Sequence, residues 1–403
     1  MPPLKAERSI SVLNLITGLY VGGAEMMLYR LLSQLDRAKF KPQVVSMMDL
    51  GPVGEKIRAL GIPVRSLGMS PGMPNPLALV KLVRWLQCDR PDVIHTWMYH
   101  ADLLGSVAAK LVGDIPIAWN IRHSDLSETE SKKMTRVIAS FCARLSRWSP
   151  RNIVCCSESA RDVHAAVGYA SEKLLVIPNG YDLDTCKPDL VARRSVRMEL
   201  GLSETTPIIG LVARFNPQKD HRTFLKAAGL LHRDMPDVHF ILCGYQITQQ
   251  NIDLMKWVHD AGVQDRCHLL GHRDDVIRIY AALDIASLSS SFGEGFPNVV
   301  AEAMSCGIPC VVTDVGDAAE IVRETGLVVP PQDPPMLADA WRTLLNMDRA
   351  TRIQLGLAAR QRVMENYNLP QIVSRYEHLF EELAGKRLSQ ELPSSLRRDY
   401  VRD

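Results

Sequence analysis

The chain lacks what several common protein classes require. No uncharged apolar run approaches the roughly 20 residues of a spanning helix, so an integral membrane protein is not expected. Charge of either sign is not in excess: 47 Lys and Arg stand against 45 Asp and Glu. Global attraction to nucleic acid is therefore absent, and no nucleic-acid partner is expected. The 9 cysteines are odd in number and contain no CxxC pair. Cys306 and Cys310 flank Gly-Ile-Pro with no His or Cys cluster beside them. Neither a disulfide framework nor a zinc site follows, and reduced, mostly buried thiols are expected. The opening MPPLKAERSI lacks the basic-then-apolar layout of a signal peptide, so the expected location is cytoplasmic. The dinucleotide fingerprint GxGxxG and the P-loop ending GK[ST] are missing too.

What is present is a long series of short apolar runs alternating with helical patterns. At 403 residues the chain is too long for one ordinary core. Its 46% hydrophobic and 23% charged residues are those of a soluble globular protein. In the first half the strand candidates are ISVLNLIT, PQVVSMM, PVRSLG, DVIHTW, PIAWNI, NIVCCS and LLVIPN. In the second they are PIIGLVAR, VHFILCG, CHLLGH, IASLSSS, PCVVTD and GLVVP. Near-continuous apolar strands joined by helices predict parallel sheets covered on both faces. Two such series predict two doubly wound, Rossmann-like α/β domains facing across a cleft. The break is expected in the Pro-, Asp- and Arg-rich stretch 177–197, read as a linker. The expected domains are 1–185 and 186–367. Residues 368–403 form a C-terminal helix packing back on the first domain, with a frayed tail.

Ligands of open α/β sheets bind at the carboxyl ends of strands, so the loops after strands hold the candidates. After the first strand, Gly22 and Gly23 precede a helix. Their backbone amides suit an anion or a substrate hydroxyl, although a tight turn also uses glycines there. His95 and His123 stand at the ends of two later strands. Each is read either as a site residue or as a structural histidine. In the second half Arg214 ends a strand, and Lys219 follows a Phe-Asn-Pro turn. Together they make a phosphate clamp, Arg as a fork and Lys as a point charge; otherwise they are solvated cations. The stretch SSSFGEGFPNVVAE places Glu294 in a Gly-flanked loop and Glu302 about one turn into the next helix. The amides of Phe296, Asn298 and Val299, around Pro297, fall at that helix's start. Carboxylates accept paired hydroxyls well, while a glutamate near a helix start is also favoured by the dipole.

In order and spacing, GGAE at 22–25, RFNPQKD at 214–220 and EGFPNVVAE at 294–302 resemble the retaining glycosyltransferases of family 4, of the GT-B fold. The second and third glutamates of that series match the family's E-x7-E. VGDAAEIV at 315–322 and GLVVPPQDP at 326–334 are similar to its downstream pattern, and the resemblance spans about residues 8–385. It implies transfer of a sugar from a nucleotide-diphosphate sugar to a glycan or lipid-linked acceptor. A UDP-sugar is favoured over a GDP-sugar, no cofactor or metal is implied, and the setting is bacterial surface polysaccharide synthesis. The resemblance also implies roles. Gly22 and Gly23 approach the diphosphate and acceptor, with His95 nearby. His123 lies beside the donor sugar, and Arg214 and Lys219 neutralise the leaving diphosphate. Glu294 meets sugar hydroxyls and Glu302 the ribose, while the segment Phe296–Val299 serves sugar and phosphate. A nucleotide-sugar epimerase and a non-catalytic nucleotide-sugar-binding protein are the alternatives.

The sequence departs from that pattern in places. Trp97 stands where many relatives carry a second polar residue after the histidine. Tyr245 and Gln246 replace an acidic residue after Gly244. The Asp182-Leu-Asp184 triplet mimics a metal motif of a different transferase fold. Finally, residues 131–151 form a basic amphipathic helix with no acidic residue. Met134, Val137, Ile138, Phe141, Leu145 and Trp148 make its stripe, and Lys132, Lys133, Arg136, Arg144, Arg147 and Arg151 its cations. Either the stripe is domain core, or the helix lies on an anionic membrane, with the protein peripheral to the inner face of the cytoplasmic membrane.

Overall fold

The computed structural model describes residues 8–70, 75–124, 126 and 133–391. The chain divides into two compact units, Met1–Gly180 with Leu369–Asp403, and Tyr181–Asn368.

In the first unit the order is β1 (Ile10–Ile16), α1 (Gly23–Gln34), β2 (Phe40–Ser46), α2 (Gly51–Ala59), β3 (Val64–Ser66), α3 (Pro76–Cys88) and β4 (Val93–Trp97). There follow α4 (Tyr99–Val112), β5 (Ile117–Ile121), α5 (Lys133–Leu145), β6 (Asn152–Cys155), α6 (Glu158–Val167) and β7 (Leu174–Val176). The strands form a 7-stranded sheet of order β3-β2-β1-β4-β5-β6-β7, parallel throughout. In the second unit α7 (Leu190–Glu199) precedes β8 (Ile208–Val212), α8 (His221–Asp234), β9 (His239–Cys243), α9 (Ile252–Ala261), β10 (Cys267–Leu269), α10 (Val276–Ala282) and β11 (Ile285–Leu288). Then come α11 (Asn298–Ser305), β12 (Cys310–Thr313), α12 (Ala318–Val322), β13 (Gly326–Val329), α13 (Pro334–Asn346) and α14 (Arg349–Asn366). Its sheet has 6 parallel strands in the order β10-β9-β8-β11-β12-β13. Each is a doubly wound Rossmann-like sheet whose order reverses once, between β1 and β4 and between β8 and β11.

The central strands β4, β5, β8 and β9 are buried along their whole length. This is why they read as continuous apolar runs and not as alternating ones. Helix starts carry the expected caps: Asn75 before Pro76, and Ser157, Asp333 and Asp348, each accepting from a first-turn amide. A last helix, α15 (Leu369–Glu391), leaves the second unit and joins the first. Its Leu369, Ile372, Val373, Tyr376, Phe380 and Leu383 recur at helical spacing and enter the core formed by β1, β2 and α1. The chain after Glu391 lies outside the described residues. The second core centres on Phe224, Phe240 and Trp341.

Two expectations need correction. The presumed linker 177–197 is not one throughout, because its last part is helix α7. Asp189 caps that helix by accepting from the amides of Val191 and Ala192. Arg193 and Arg197, one turn apart, both pair with Asp284, at 2.8 and 2.7 Å. Arg197 is 1% exposed and also donates to the carbonyls of Ala282, Ser203 and Thr206. An arginine run that looked solvated is a buried clamp on α7. The second correction concerns α5. Its buried residues are the small Ala139, Cys142 and Ala143, while Met134, Val137 and Phe141 are exposed. Most of the apolar stripe is therefore not core, although Ile138 and Leu145 are half-buried. Ser131 and Lys132 lie outside the described residues. All 9 cysteines are free, and only Cys88 is exposed.

Candidate active site

The second unit carries the Arg-Lys turn and the glutamate loop at the carboxyl ends of β8 and β11, the neighbouring strands of its switch point. The chain leaving β8 passes exposed Arg214 and turns through a short 3-10 segment, Pro217–Lys219. Asn216 caps the turn, and Asp220, at φ +44°, caps α8. The loop leaving β11 is stitched onto it. Ser291 N donates to the Gln218 carbonyl at 2.9 Å, Gln218 Nε2 to the Gly293 carbonyl at 2.9 Å, and Ser289 Oγ to the Lys219 carbonyl at 2.8 Å. These bonds bring Lys219 Nζ to 2.5 Å from Glu294 Oε1. The side chains are 15% and 6% exposed. Ser290 Oγ donates to the same oxygen at 2.5 Å. A buried ion pair of this kind adds little stability in itself, but breaking it leaves an uncompensated charge.

Beyond Glu294 the chain enters α11 at Pro297, and no side chain caps the helix start. Phe296 and Pro297 are buried, Phe296 between Tyr181 and Tyr367. Only the backbone of this segment is offered to a ligand. Asn298 accepts from Tyr181 Oη at 2.5 Å, Val299 is half-buried, and Glu302 accepts from Tyr280 Oη at 3.5 Å. Asp182 of the Asp-Leu-Asp triplet is used locally, accepting from Asp184 N at 3.0 Å and Thr185 Oγ1 at 2.8 Å. Ser290 and Gln218 are participants that sequence reasoning missed, as is Gly316 after β12, which lies against the Glu294 carbonyl. The Ser-Ser-Ser run directly after a strand was the available signal for Ser290. Tyr245, 65% exposed at the end of β9, bonds through its carbonyl to Phe215 N at 2.9 Å.

In the first unit the switch point lies between β1 and β4, and Gly22 and Gly23 open α1 after β1. Gly22 is the N-cap, and Glu25 folds back over it, so that a Cβ on Gly22 would lie 2.4 Å from Glu25 Oε2. Burial raises the Glu25 pKa, partly offset by a bond from its own amide. Directly after β4, Met98 holds φ +74°, a costly conformation for any residue other than glycine. His123 lies two residues past β5, half-buried, near enough to His164 for their charges to oppose.

His95 is not a ligand contact. It is 0% exposed, inside β4, with Nδ1 3.0 Å from Asn14 Oδ1 and Nε2 3.1 Å from Asn120 Nδ2. Asn120 donates to Nε2, so Nδ1 carries the proton and donates to Asn14. Asn120 also reaches Tyr376 Oη at 3.1 Å, and Arg122 bonds to both Tyr376 and Asn179. Burial first, then Arg122, push the His95 pKa down to about 3, so the ring is neutral. The histidine thus joins three strands' interior to α15, and sequence position alone could not separate a strand end from a strand interior.

Asp102, on the first turn of α4, is also 0% exposed. Thr96 Oγ1 donates to its Oδ1 at 2.5 Å, while Oδ2 has no partner among the described residues. Burial outweighs the Thr96 bond and pushes its pKa up to about 7. The native state therefore holds a proton that the unfolded chain, at 3.8, has released. Stability from this group is full below about pH 4 and falls as pH rises to about 7. The Asp102→Asn protein cannot lose that proton. Its melting temperature relative to the parent is expected to rise between pH 5 and pH 8 by several degrees, following a few kcal/mol of linkage. Parallel melting curves for the two proteins across that range would contradict this.

Two family models match the chain. Residues 21–185 match Glycosyltransferase Family 4, and residues 206–347 match Glycosyl transferases group 1. The UDP-Gal:alpha-D-GlcNAc-diphosphoundecaprenol alpha-1,3-galactosyltransferase of Escherichia coli is 24% identical over 336 residues, covering 82% of this chain and 85% of the relative. The putative glycosyltransferase EpsF of Bacillus subtilis is 27% identical over 392 residues, covering 91% and 98%. In fold, the chain is similar to Anabaena HepE in complex with UDP, with a TM-score of 0.81 at 22% identity over 93% of this chain and 100% of that one. Sucrose-phosphate synthase from Thermosynechococcus elongatus gives 0.77 at 20% identity over 94% and 100%.

Proposed function

The chain belongs to the family 4 glycosyltransferases, and from that membership we propose that it moves a sugar, with retention of configuration, from a nucleotide-diphosphate sugar to a lipid-linked or glycan acceptor. The observation that carries the site assignment is the Lys219–Glu294 pair, held at 2.5 Å beside the uncapped start of α11. A donor entering there separates the pair. Lys219 turns to the diphosphate with Arg214 and the α11 amides, and Glu294 accepts from sugar hydroxyls. Glu302, one turn further along α11, accepts from the ribose. As the bond from the anomeric carbon to the phosphate oxygen breaks, negative charge grows on the diphosphate and positive charge on the sugar. Preorganised cations and amides lower that barrier. The acceptor oxygen attacks from the face the leaving group departs, and the leaving phosphate oxygen takes the acceptor's proton. In the first unit, the Gly22–Gly23 amides and His123 are the groups the family resemblance assigns to the substrates.

A UDP-sugar is the favoured donor. Support comes from the UDP-Gal in the name of the E. coli relative and from the UDP-glucose complex of HepE, whose likeness is one of fold. The diphosphoundecaprenol in the relative's name supports a lipid-linked acceptor and a place in bacterial surface polysaccharide assembly. A panel of nucleotide sugars tests the reading. One UDP-hexose or UDP-N-acetylhexosamine should raise the melting temperature by a few degrees when present at about 100 times its Kd. The same compound should be slowly hydrolysed. No shift from any UDP or GDP compound removes the donor-site reading. Conversion to an epimeric nucleotide sugar without transfer would move the protein to the epimerase alternative.

A further inference from the structure

Helices α4 and α5 pack side by side in the first unit and expose an apolar face that neither buries. On α5 the residues turned inward are small, Ala139, Cys142 and Ala143, with Cys142 Sγ 3.6 Å from the Tyr99 carbonyl. The residues turned outward are large: Met134 is 63% exposed, Val137 56% and Phe141 52%, and Trp148 just past the helix is 77%. The same face continues onto α4, where Leu111 is 61% exposed. A groove of about 370 Å³ between the two is lined by Leu111, Leu145 and Trp148. A helix docked only for the domain's own stability would do the reverse, because burying large apolar side chains is the main gain of folding. Large apolar side chains left exposed together on one helix face mark a docking surface.

Charge identifies the occupant. Lys133, Arg136 and Arg144 line one shallow groove with Val137 and Phe141, so the cations flank the stripe and are not opposite it. Arg147 and Arg151 continue the basic edge past the helix, and no Asp or Glu occurs from 133 to 151. The whole chain is nearly neutral, so this is a local field. Aromatics beside an apolar stripe, bordered by cations, match a helix lying in the interface of an anionic bilayer. On the α4 side the groove is edged by Asp114, which pairs with Lys110 at 2.9 Å, so the net charge on this face stays positive.

We infer that the α4–α5 face is a membrane-docking surface that inserts Trp148, Phe141, Val137 and Leu111 among anionic lipids. Its purpose rests on the transferase reading: docking of α5 holds the first unit, which carries His123, at the bilayer where a lipid-linked acceptor lies. The surface itself does not depend on turnover, and the test separates the two. The full chain should float with phosphatidylglycerol-containing vesicles at low salt, should not float with pure phosphatidylcholine, and should be released by high salt. Arg144→Gln with Arg147→Gln should weaken binding on the order of twentyfold, about fivefold for each cation. Phe141→Ser with Trp148→Ser should abolish it, and the blue shift of tryptophan emission on vesicles should vanish in Trp148→Phe. All these positions are exposed, so nucleotide-sugar hydrolysis in solution should be unchanged. Absence of flotation with the anionic vesicles overturns the inference, whatever the hydrolysis assay gives. A stable dimer that Phe141→Ser with Trp148→Ser dissociates, without vesicle binding, overturns it in favour of a second copy of the chain. Loss of hydrolysis with flotation intact would instead count against the donor site.

Discussion

Replacing Lys219 by alanine is expected to lower turnover about a hundredfold or more, and Glu294→Gln by a similar factor. The size follows from removing a charge that acts on the developing diphosphate, or a carboxylate that positions the sugar, in a site where neither is replaced by water. Lys219→Ala also removes the paired cation from Glu294, which is 6% exposed and accepts from Ser290. That is expected to cost on the order of 3–5 kcal/mol and to depress the melting temperature. Stability and catalysis can therefore be separated in a cycle. Lys219→Met combined with Glu294→Gln removes both charges of the pair and should recover most of the lost melting temperature, while turnover stays at the level of the worse single variant. Recovery of both would mean the pair is only a structural clamp. Near-parental rates in both single variants would remove the proposed site.

Much of this fold was legible because buried parallel strands have a simple signature. Runs such as IIGLV and HFILC are apolar on both faces, too short for helices, and each ends where a loop of Gly, Asn or Pro begins. The chemistry was legible at the same places, since strand ends are where side chains meet ligands. What sequence could not show was the direction a periodic stripe faces. The spacing of Met134, Val137 and Phe141 defines a stripe, but whether it packs inward depends on what lies beneath the helix. Here Ala139 and Cys142 fill that space. Polar residues in buried networks were likewise misread: His95 sits in the middle of β4, two residues short of its carboxyl end. Arg193 and Arg197 looked like linker residues because their partner, Asp284, is far away in sequence. Distance in sequence also hid Gly316, whose importance lies in its contact with Glu294 across two loops at the carboxyl end of the sheet.

Gly316 gives the second large expected effect. It follows β12, adjacent to β11 in the sheet, and holds φ +59°. A Cβ there would lie 1.8 Å from the Glu294 carbonyl oxygen, and the next residue, Asp317, donates its amide to the Gly295 carbonyl at 3.1 Å. The β12 loop is thus the floor on which Glu294 rests, and any side chain must push that floor or the glutamate away. Gly61 is a matched control. It has φ +75° and nothing within 4 Å of its would-be Cβ. Both alanine substitutions incur the left-handed strain of about 1 kcal/mol, and only Gly316→Ala adds the collision. Gly61→Ala should lower the melting temperature slightly and leave turnover unchanged. Gly316→Ala should lower the melting temperature by a few degrees and cut turnover about a hundredfold, because displacing a catalytic group by roughly an ångström has that effect. Donor-induced stabilisation should weaken in parallel. Equal turnover in the two variants would show that Glu294 need not be held where the structure holds it. Since the two substitutions share their backbone penalty, the difference between them reports on the placement of the loop that carries Glu294 into α11.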